Sequence, residues 1–121
     1  MNIRRSTFVF IAPALVAVLT VSAAAQPFGR LEISNWLADT ESTGRMWIKG
    51  HLDGTIARRR LLARLNELPA DIPDAKLRAA TIHCFSAGQS LANAMLTPPS
   101  TGNGDFRLYE RSAAECRRRV R

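Results

Sequence analysis

The sequence predicts an all-α fold, a small four-helix domain with one disulfide that follows an N-terminal signal peptide. Apolar residues recur at spacings of three and four after residue 30, which is typical of helices that bury one face. No stretch alternates apolar and polar residues in the way that a half-buried strand does. The only two cysteines, Cys84 and Cys116, fall on the inward faces of two predicted helices.

Residues 1–25 have the pattern of a signal peptide. Arg4 and Arg5 precede an apolar run over residues 8–21, and three alanines at 23–25 form a small-residue cleavage pattern. A permanent membrane anchor is the alternative, but a spanning helix needs about 20 apolar residues. We therefore expect a single helical domain over residues 26–121 in a periplasmic or secreted protein.

This expectation predicts the mass of the mature protein. Cleavage after Ala25 leaves Gln26 as the new N-terminus. Mass spectrometry of periplasmic material should therefore give the mass of residues 26–121. Full-length chain recovered in the membrane fraction would contradict the prediction.

The charge of the predicted mature chain limits its partners. The lost segment carries two of the 17 basic residues and no acid, so the formal charge falls from +7 to +5. Thirteen of the remaining 15 basic residues are arginines, which favour bidentate contacts to carboxylates or phosphates. Nucleic acid is a poor partner for an exported chain without aromatic residues among its basic runs.

The cysteine count favours a disulfide. In an oxidising compartment, an even number of cysteines indicates pairing, and two free buried thiols are the alternative. A bridge between Cys84 and Cys116 would attach the last helix to the third.

The first half of the domain is predicted as a short helix and a long central one. Ser34 or Asn35 is expected to cap the short helix, which presents Trp36, Leu37 and Thr40 inward. The central helix is expected over residues 44–65, after a break at residues 42–44. One side of it carries Ile48, Leu52, Ile56 and Leu62, and an adjoining side carries Trp47, Leu61 and Leu65.

Gly50 and Gly54 would share one face of that central helix. Each costs about 1 kcal/mol of helix propensity relative to alanine, and close approach of another helix is one reason to tolerate the cost. The other explanation is neutral drift of the sequence, in a helix that tertiary contacts stabilise despite its glycines. If the face is packed, Gly54→Leu should destabilise the fold; if it is exposed, the substitution should weaken partner binding.

The second half is predicted as two further helices. The third starts with Pro73 in its first turn and runs to about Leu96. The residues of its inward seam are Leu77, Cys84, Gly88, Leu91 and Met95. Ala80, Phe85 and Ala92 flank this seam, and the far side carries Ser86, Gln89, Ser90 and Asn93. A loop over residues 97–104 precedes a last helix capped by Asp105, in which Phe106, Tyr109, Ala113, Cys116 and Val120 recur at spacings of three and four.

The candidates for chemistry are few. His51 and Asp53, two residues apart on one helix, would point about 200° away from each other. His83 and Cys84 also diverge, and a disulfide would consume the thiol. No spacing of histidines, cysteines or carboxylates supports a metal or a cofactor. We therefore expect no catalytic residue, and no enzyme.

Two arginine runs, residues 58–60 and 117–119, are the visible charge clusters. Arg58 and Arg59 would point into apolar arcs, where they either extend along the surface or pair with Asp39, Glu41 or Glu110. The terminal run complements the negative end of the last helix. Contact with an anionic membrane surface or another anionic envelope surface is the alternative for both runs.

Two segments resemble a known family. Residues 46–57, MWIKGHLDGTIA, are similar to the Gly-Tyr-x-x-Gly helix of the Rap/Tai family of periplasmic immunity proteins, with His51 in place of the tyrosine. Residues 68–77, LPADIPDAKL, resemble that family's proline hook, and the late cysteine Cys116 also fits. The resemblance covers residues 34–95 and implies a helical protein that blocks a cell-wall amidase delivered by type VI secretion. The chain is more remotely similar to HdeA-type acid-stress chaperones.

These observations together predict an exported protein that binds another protein, a toxin or a client. Immunity against a toxin is the first interpretation, and an envelope chaperone or a basic binder of an anionic surface is the alternative. The residues expected to contact the partner are Gly50, His51, Gly54, Arg58 and Arg59.

Overall fold

The computed structural model describes residues 28–121 as four α-helices, with no strand among them. The helices are α1 (Arg30–Ile48), α2 (Gly54–Leu65), α3 (Ala75–Ala94) and α4 (Gly104–Val120). This confirms the all-α prediction. The predicted signal peptide and its cleavage site lie outside the described residues. Within residues 28–121, no helix is long and apolar enough to cross a membrane.

The hairpin of α3 and α4 is held by the predicted disulfide. Cys84 and Cys116 are fully buried and bonded to each other, with their Cα atoms 5.2 Å apart. The hydroxyls of Ser86 and Ser112 lie 3.3 Å apart beside the bridge. Every member of the predicted α4 seam is buried: Phe106, Tyr109, Ala113, Cys116 and Val120. Periodicity alone therefore identified the inward face of α4.

Helix α1 is longer than the predicted short helix. It starts at Arg30, where Glu32 Oε1 accepts a hydrogen bond from the Gly29 N–H at 2.7 Å, so neither Ser34 nor Asn35 caps it. Trp36, Leu37 and Thr40 are buried as predicted.

The break predicted at residues 42–44 is absent, because α1 runs straight through it. Gly44 lies inside the helix and is buried against α3 and α4. A Cβ at residue 44 would lie 3.1 Å from Leu91 Cδ2 and 3.5 Å from Tyr109 Oη. This glycine allows close packing and does not end a helix.

The predicted central helix over residues 44–65 is wrong, since the chain turns between α1 and α2. Gly50 has φ +77°, a left-handed conformation that ends α1. The Gly50 N–H donates to the Trp47 carbonyl at 3.0 Å, and the His51 N–H donates to the Met46 carbonyl at 2.8 Å. This pair of bonds is a Schellman motif. Gly50 and Gly54 therefore share no helix face.

The break changes which apolar residues reach the core. Trp47, Leu61 and Leu65 are buried, whereas Ile56 and Leu62, from the other predicted apolar side, are 46% and 40% exposed. A continuous helix would have required both apolar sides to face other helices. The two shorter helices bury only the side that carries Trp47, Leu61 and Leu65.

The caps of the remaining helices also differ from the prediction. Asp53 caps α2 by accepting from the N–H groups of Thr55 and Ile56 at 3.0 and 3.3 Å. Helix α3 is capped by Asp74, so Pro73 lies just before it. Helix α4 is capped by Asn103, two residues before the predicted Asp105. For α3 and α4 the error is a shift of one or two residues, whereas α2 starts ten residues after the predicted start of the central helix.

Helix α3 departs from its predicted pattern at three residues. Ser90 and Ser86 were both expected on the far side, but Ser90 is buried and Ser86 is half-buried against Ser112 of α4. Phe85, expected beside the seam, is 43% exposed. The remaining seam residues are buried or half-buried.

Candidate functional site

The turn between α1 and α2 forms one wall of an open groove of about 530 Å³. We call this the loop groove. Residues 50–55 lie along one wall, and the loop that joins α3 to α4 forms the other. The groove is lined by residues 50–55, Thr97, Pro98 and Pro99, with Trp47 and Met95 between the two walls.

The rim of the loop groove contains three of the residues that the sequence assigned to partner binding. Gly50 and His51 belong to the cap of α1, and Gly54 is the first residue of α2. Gly50 and His51 are exposed, and Gly54 is half-buried. They lie together because the chain turns, and not because they share a helix.

The floor of the loop groove carries two polar atoms beside Gly54. A Cβ at residue 54 would lie 3.3 Å from the indole Nε1 of Trp47 and 3.2 Å from the carbonyl oxygen of Met95. Neither atom has a hydrogen-bond partner among residues 28–121. The other indole differs, because the Trp36 N–H donates to the Arg64 carbonyl at 2.8 Å.

Trp47 is held in place by packing from behind. It is 1% exposed, and its ring centre lies 6.2 Å from that of Phe106, which in turn lies 5.3 Å from that of Tyr109. Burial, with a smaller contribution from Glu41, raises the pKa of Tyr109 to about 12, so this phenol stays neutral. The aromatic row fixes the indole while its edge lines the groove.

Arg58 and Arg59, the other two residues assigned to partner binding, do not line the loop groove. Arg58 is half-buried and Arg59 is exposed. Neither forms a salt bridge among the described residues, and two of the three acids expected to pair with them, Asp39 and Glu41, have other partners. Asp39 pairs with Arg64 at 2.9 Å, and Glu41 pairs with Arg117.

The terminal arginine run is engaged with carboxylates. Arg117 pairs with Glu41, and both Arg118 and Arg119 pair with Glu115. The hydrogen bond from Arg118 holds the pKa of Glu115 down at about 2. Because these carboxylates already contact the run, it presents less free positive charge than its sequence indicates.

A second surface, which we call the apolar patch, was not predicted. It lies where the α2–α3 connection meets α3, and its members are Leu68, Pro69, Ala70, Thr81, Ile82 and Phe85. Ile82 is 65% exposed and Phe85 is 43% exposed. The signal was present in the sequence, since residues 82 and 85 form an apolar pair off the buried seam of α3.

Among residues 28–121, no group of three or more histidine, cysteine or acidic side chains is placed to hold a metal ion. Comparisons of the chain with protein-family models, with curated proteins and with solved structures found no match. The resemblance to the Rap/Tai family therefore stays a prediction.

Proposed function

We propose that this protein is a non-enzymatic, exported binding domain that holds a segment of another protein in the loop groove. The observation that carries the proposal is the floor of that groove, where the Trp47 indole N–H and the Met95 carbonyl have no partner among residues 28–121 and lie between walls that are more polar than apolar. Polar groups held in place within a cleft fix the orientation of the segment that binds there.

The disulfide supports export, because such bonds persist in oxidising compartments. The sharper version of the proposal is immunity, in which the partner is a cell-wall amidase toxin. The segment that resembles the Rap/Tai family spans the turn at residues 50–54, so the resemblance and the groove favour the same surface.

The apolar patch favours a second candidate function, an envelope chaperone. Exposed Ile82 and Phe85 would offer a client protein an apolar surface without any directional polar group. Such a surface suits many clients, whereas the floor of the loop groove suits one specific segment. Binding of an anionic surface through residues 117–119 is less favoured, because these arginines are already paired with acids.

Capture experiments with two matched glycine variants test the proposal. Gly54 and Gly104 both occupy the first position of a helix, directly after a capping side chain. A side chain at residue 54 would enter the loop groove, whereas a Cβ at residue 104 has no neighbour within 4 Å. With protein purified from the cell envelope as bait, Gly54→Leu should reduce recovery of the bound partner at least tenfold, and Gly104→Leu should leave it unchanged.

Far-ultraviolet circular dichroism of both variants establishes that they fold. Equal recovery by Gly54→Leu and Gly104→Leu would contradict binding in the loop groove. Loss of capture on Ile82→Ser, with Gly54→Leu unaffected, would assign binding to the apolar patch and favour the chaperone.

A further inference from the structure

The outward side of α2 combines arginines with exposed apolar side chains. The helix buries Ala57, Leu61 and Leu65, so its opposite side faces solvent. We call this side the α2 face, and its exposed residues are Thr55, Ile56, Arg59, Arg60, Leu62 and Ala63. We propose that the α2 face docks the protein on the surface of an anionic phospholipid membrane. This docking goes beyond the capture of a partner in the loop groove and does not depend on it.

The two kinds of side chain alternate around the α2 face. Ile56 is 46% exposed and Leu62 is 40% exposed. At 100° per residue they lie about 120° apart, with Arg59 midway between them. Arg60 lies just beyond Ile56, and Arg58 lies just beyond Leu62. Such a surface can place its apolar side chains among lipid headgroups while the arginines extend to the phosphates.

No acid offsets the arginines of the α2 face. Helix α2 contains four arginines and no acidic residue. In the part of the chain that the structure describes, residues 58–60 form no salt bridge. Three acids beside α2 are already engaged. Asp53 accepts from N–H groups of the first turn, and both Asp39 and Glu67 pair with Arg64, at 2.9 and 3.4 Å. The positive charge of residues 58–60 is therefore available to an anion from outside the fold.

The shape of the α2 face favours a membrane surface over a bound peptide. The side of a helix that faces away from the core is convex, whereas a site for a specific ligand is concave. Phospholipid headgroups present phosphates over a broad surface, and arginine binds phosphate in a bidentate manner. An anionic bilayer also offers an apolar region to Ile56 and Leu62, so it complements both components of the face.

Sedimentation with lipid vesicles tests the proposal on two matched pairs of arginines. Arg107 and Arg111 of α4 are exposed and form no salt bridge among residues 28–121, and their helix does not contact α2 there. Replacing either pair by glutamine removes two positive charges. Protein purified from the cell envelope should bind vesicles that contain phosphatidylglycerol and should not bind vesicles of phosphatidylcholine alone.

The two pairs should differ in their effect on vesicle binding. One arginine at an anionic membrane surface contributes a factor of about five to binding. The double variant Arg59→Gln, Arg60→Gln should therefore bind phosphatidylglycerol vesicles at least tenfold more weakly. The double variant Arg107→Gln, Arg111→Gln should weaken binding by less than about threefold, because α4 does not contact the lipid.

A fluorescent probe tests whether the apolar residues of the α2 face enter the membrane. The two natural tryptophans are 2% and 1% exposed, so a quencher in the lipid should affect them little. Brominated phospholipid in the vesicles should quench the added fluorescence of Ile56→Trp. It should not quench that of Leu108→Trp, a site on α4 that is 40% exposed. Circular dichroism establishes that each variant folds.

Three results would each overturn the proposal. The first is equal weakening by the two arginine pairs, which would mean that net charge alone attracts the protein to lipid. The second is equal binding to both kinds of vesicle. The third is binding to polyglutamate that depends on Arg59 and Arg60 while Ile56→Trp stays unquenched on vesicles. This last result would assign the α2 face to an acidic protein partner.

Discussion

Replacing Cys84 and Cys116 together by alanine is expected to lower the free energy of unfolding by about 4 kcal/mol. The bridge joins residues 32 positions apart, and removing it returns the loop-closure entropy of that segment to the unfolded chain. Against a total stability of about 5–15 kcal/mol for a domain, this is a large fraction. Urea denaturation followed by circular dichroism measures the loss as a lower midpoint.

A reductant provides the control for this prediction. Dithiothreitol should lower the midpoint of the wild-type protein towards that of the double variant, and it should not affect the double variant itself. A midpoint that changes by less than the equivalent of about 1 kcal/mol in both experiments would show that packing between α3 and α4 holds the hairpin without the bridge. Thiol labelling of denatured, unreduced protein gives an independent check, since two bonded cysteines form no adduct.

The hairpin of α3 and α4 was predictable because its sequence signals are local. The seam from Phe106 to Val120 repeats at helical spacing, and the loop before it is rich in proline and glycine. The cysteines then faced each other because both lay on inward seams. The cap of α4 shifted, since Asn103 and Asp105 are both good capping residues and the fold selects one of them.

The turn between α1 and α2 was missed because apolar periodicity continues across it. Residues 47–65 carry an apolar residue at nearly every helical interval, and this pattern outweighed two signals of a break. Gly50 follows a lysine, as a C-terminal glycine after a basic residue does, and Asp53 precedes a glycine and a threonine as an N-cap does. Read together, these signals predict the end of one helix and the start of the next.

The floor of the loop groove could not be predicted from spacing. Trp47 and Met95 are 48 positions apart, and both were correctly assigned to inward faces. What the sequence does not show is that their polar atoms meet beside Gly54 without pairing. That arrangement depends on how α1 ends and where α3 stops, which are tertiary outcomes. Gly50, His51 and Gly54 thus line one groove because the chain turns there, and not because they share the predicted helix face.

The prediction that a glycine allows another helix to approach closely named the wrong glycines. The sequence assigned that role to Gly50 and Gly54, yet the glycine that another helix approaches most closely is Gly88 of α3. A Cβ at residue 88 would lie 2.8 Å from Leu65 Cδ2 and 2.9 Å from Trp36 Cη2. Leu65 can rotate away, but the Trp36 ring is buried and its N–H is bonded to the Arg64 carbonyl, so it cannot easily move.

Gly88→Ala is therefore expected to destabilise the protein, although alanine gains about 1 kcal/mol of helix propensity over glycine. Overpacking of a core costs about 1–3 kcal/mol, and contacts below 3.0 Å place this site at the upper end, so we expect a net loss of about 1–2 kcal/mol. The urea midpoint measures this loss of stability, with Gln89→Ala, at the exposed neighbour on α3, as a control whose midpoint should change little.

A double variant tests the same contact. In the Gly88→Ala background, Leu65→Ala should lower the stability less than it does in the wild type, because it relieves one of the two contacts. A higher midpoint for Gly88→Ala would mean that Trp36 does not lie against residue 88, and the packing of α1 on α3 would need to be reassigned.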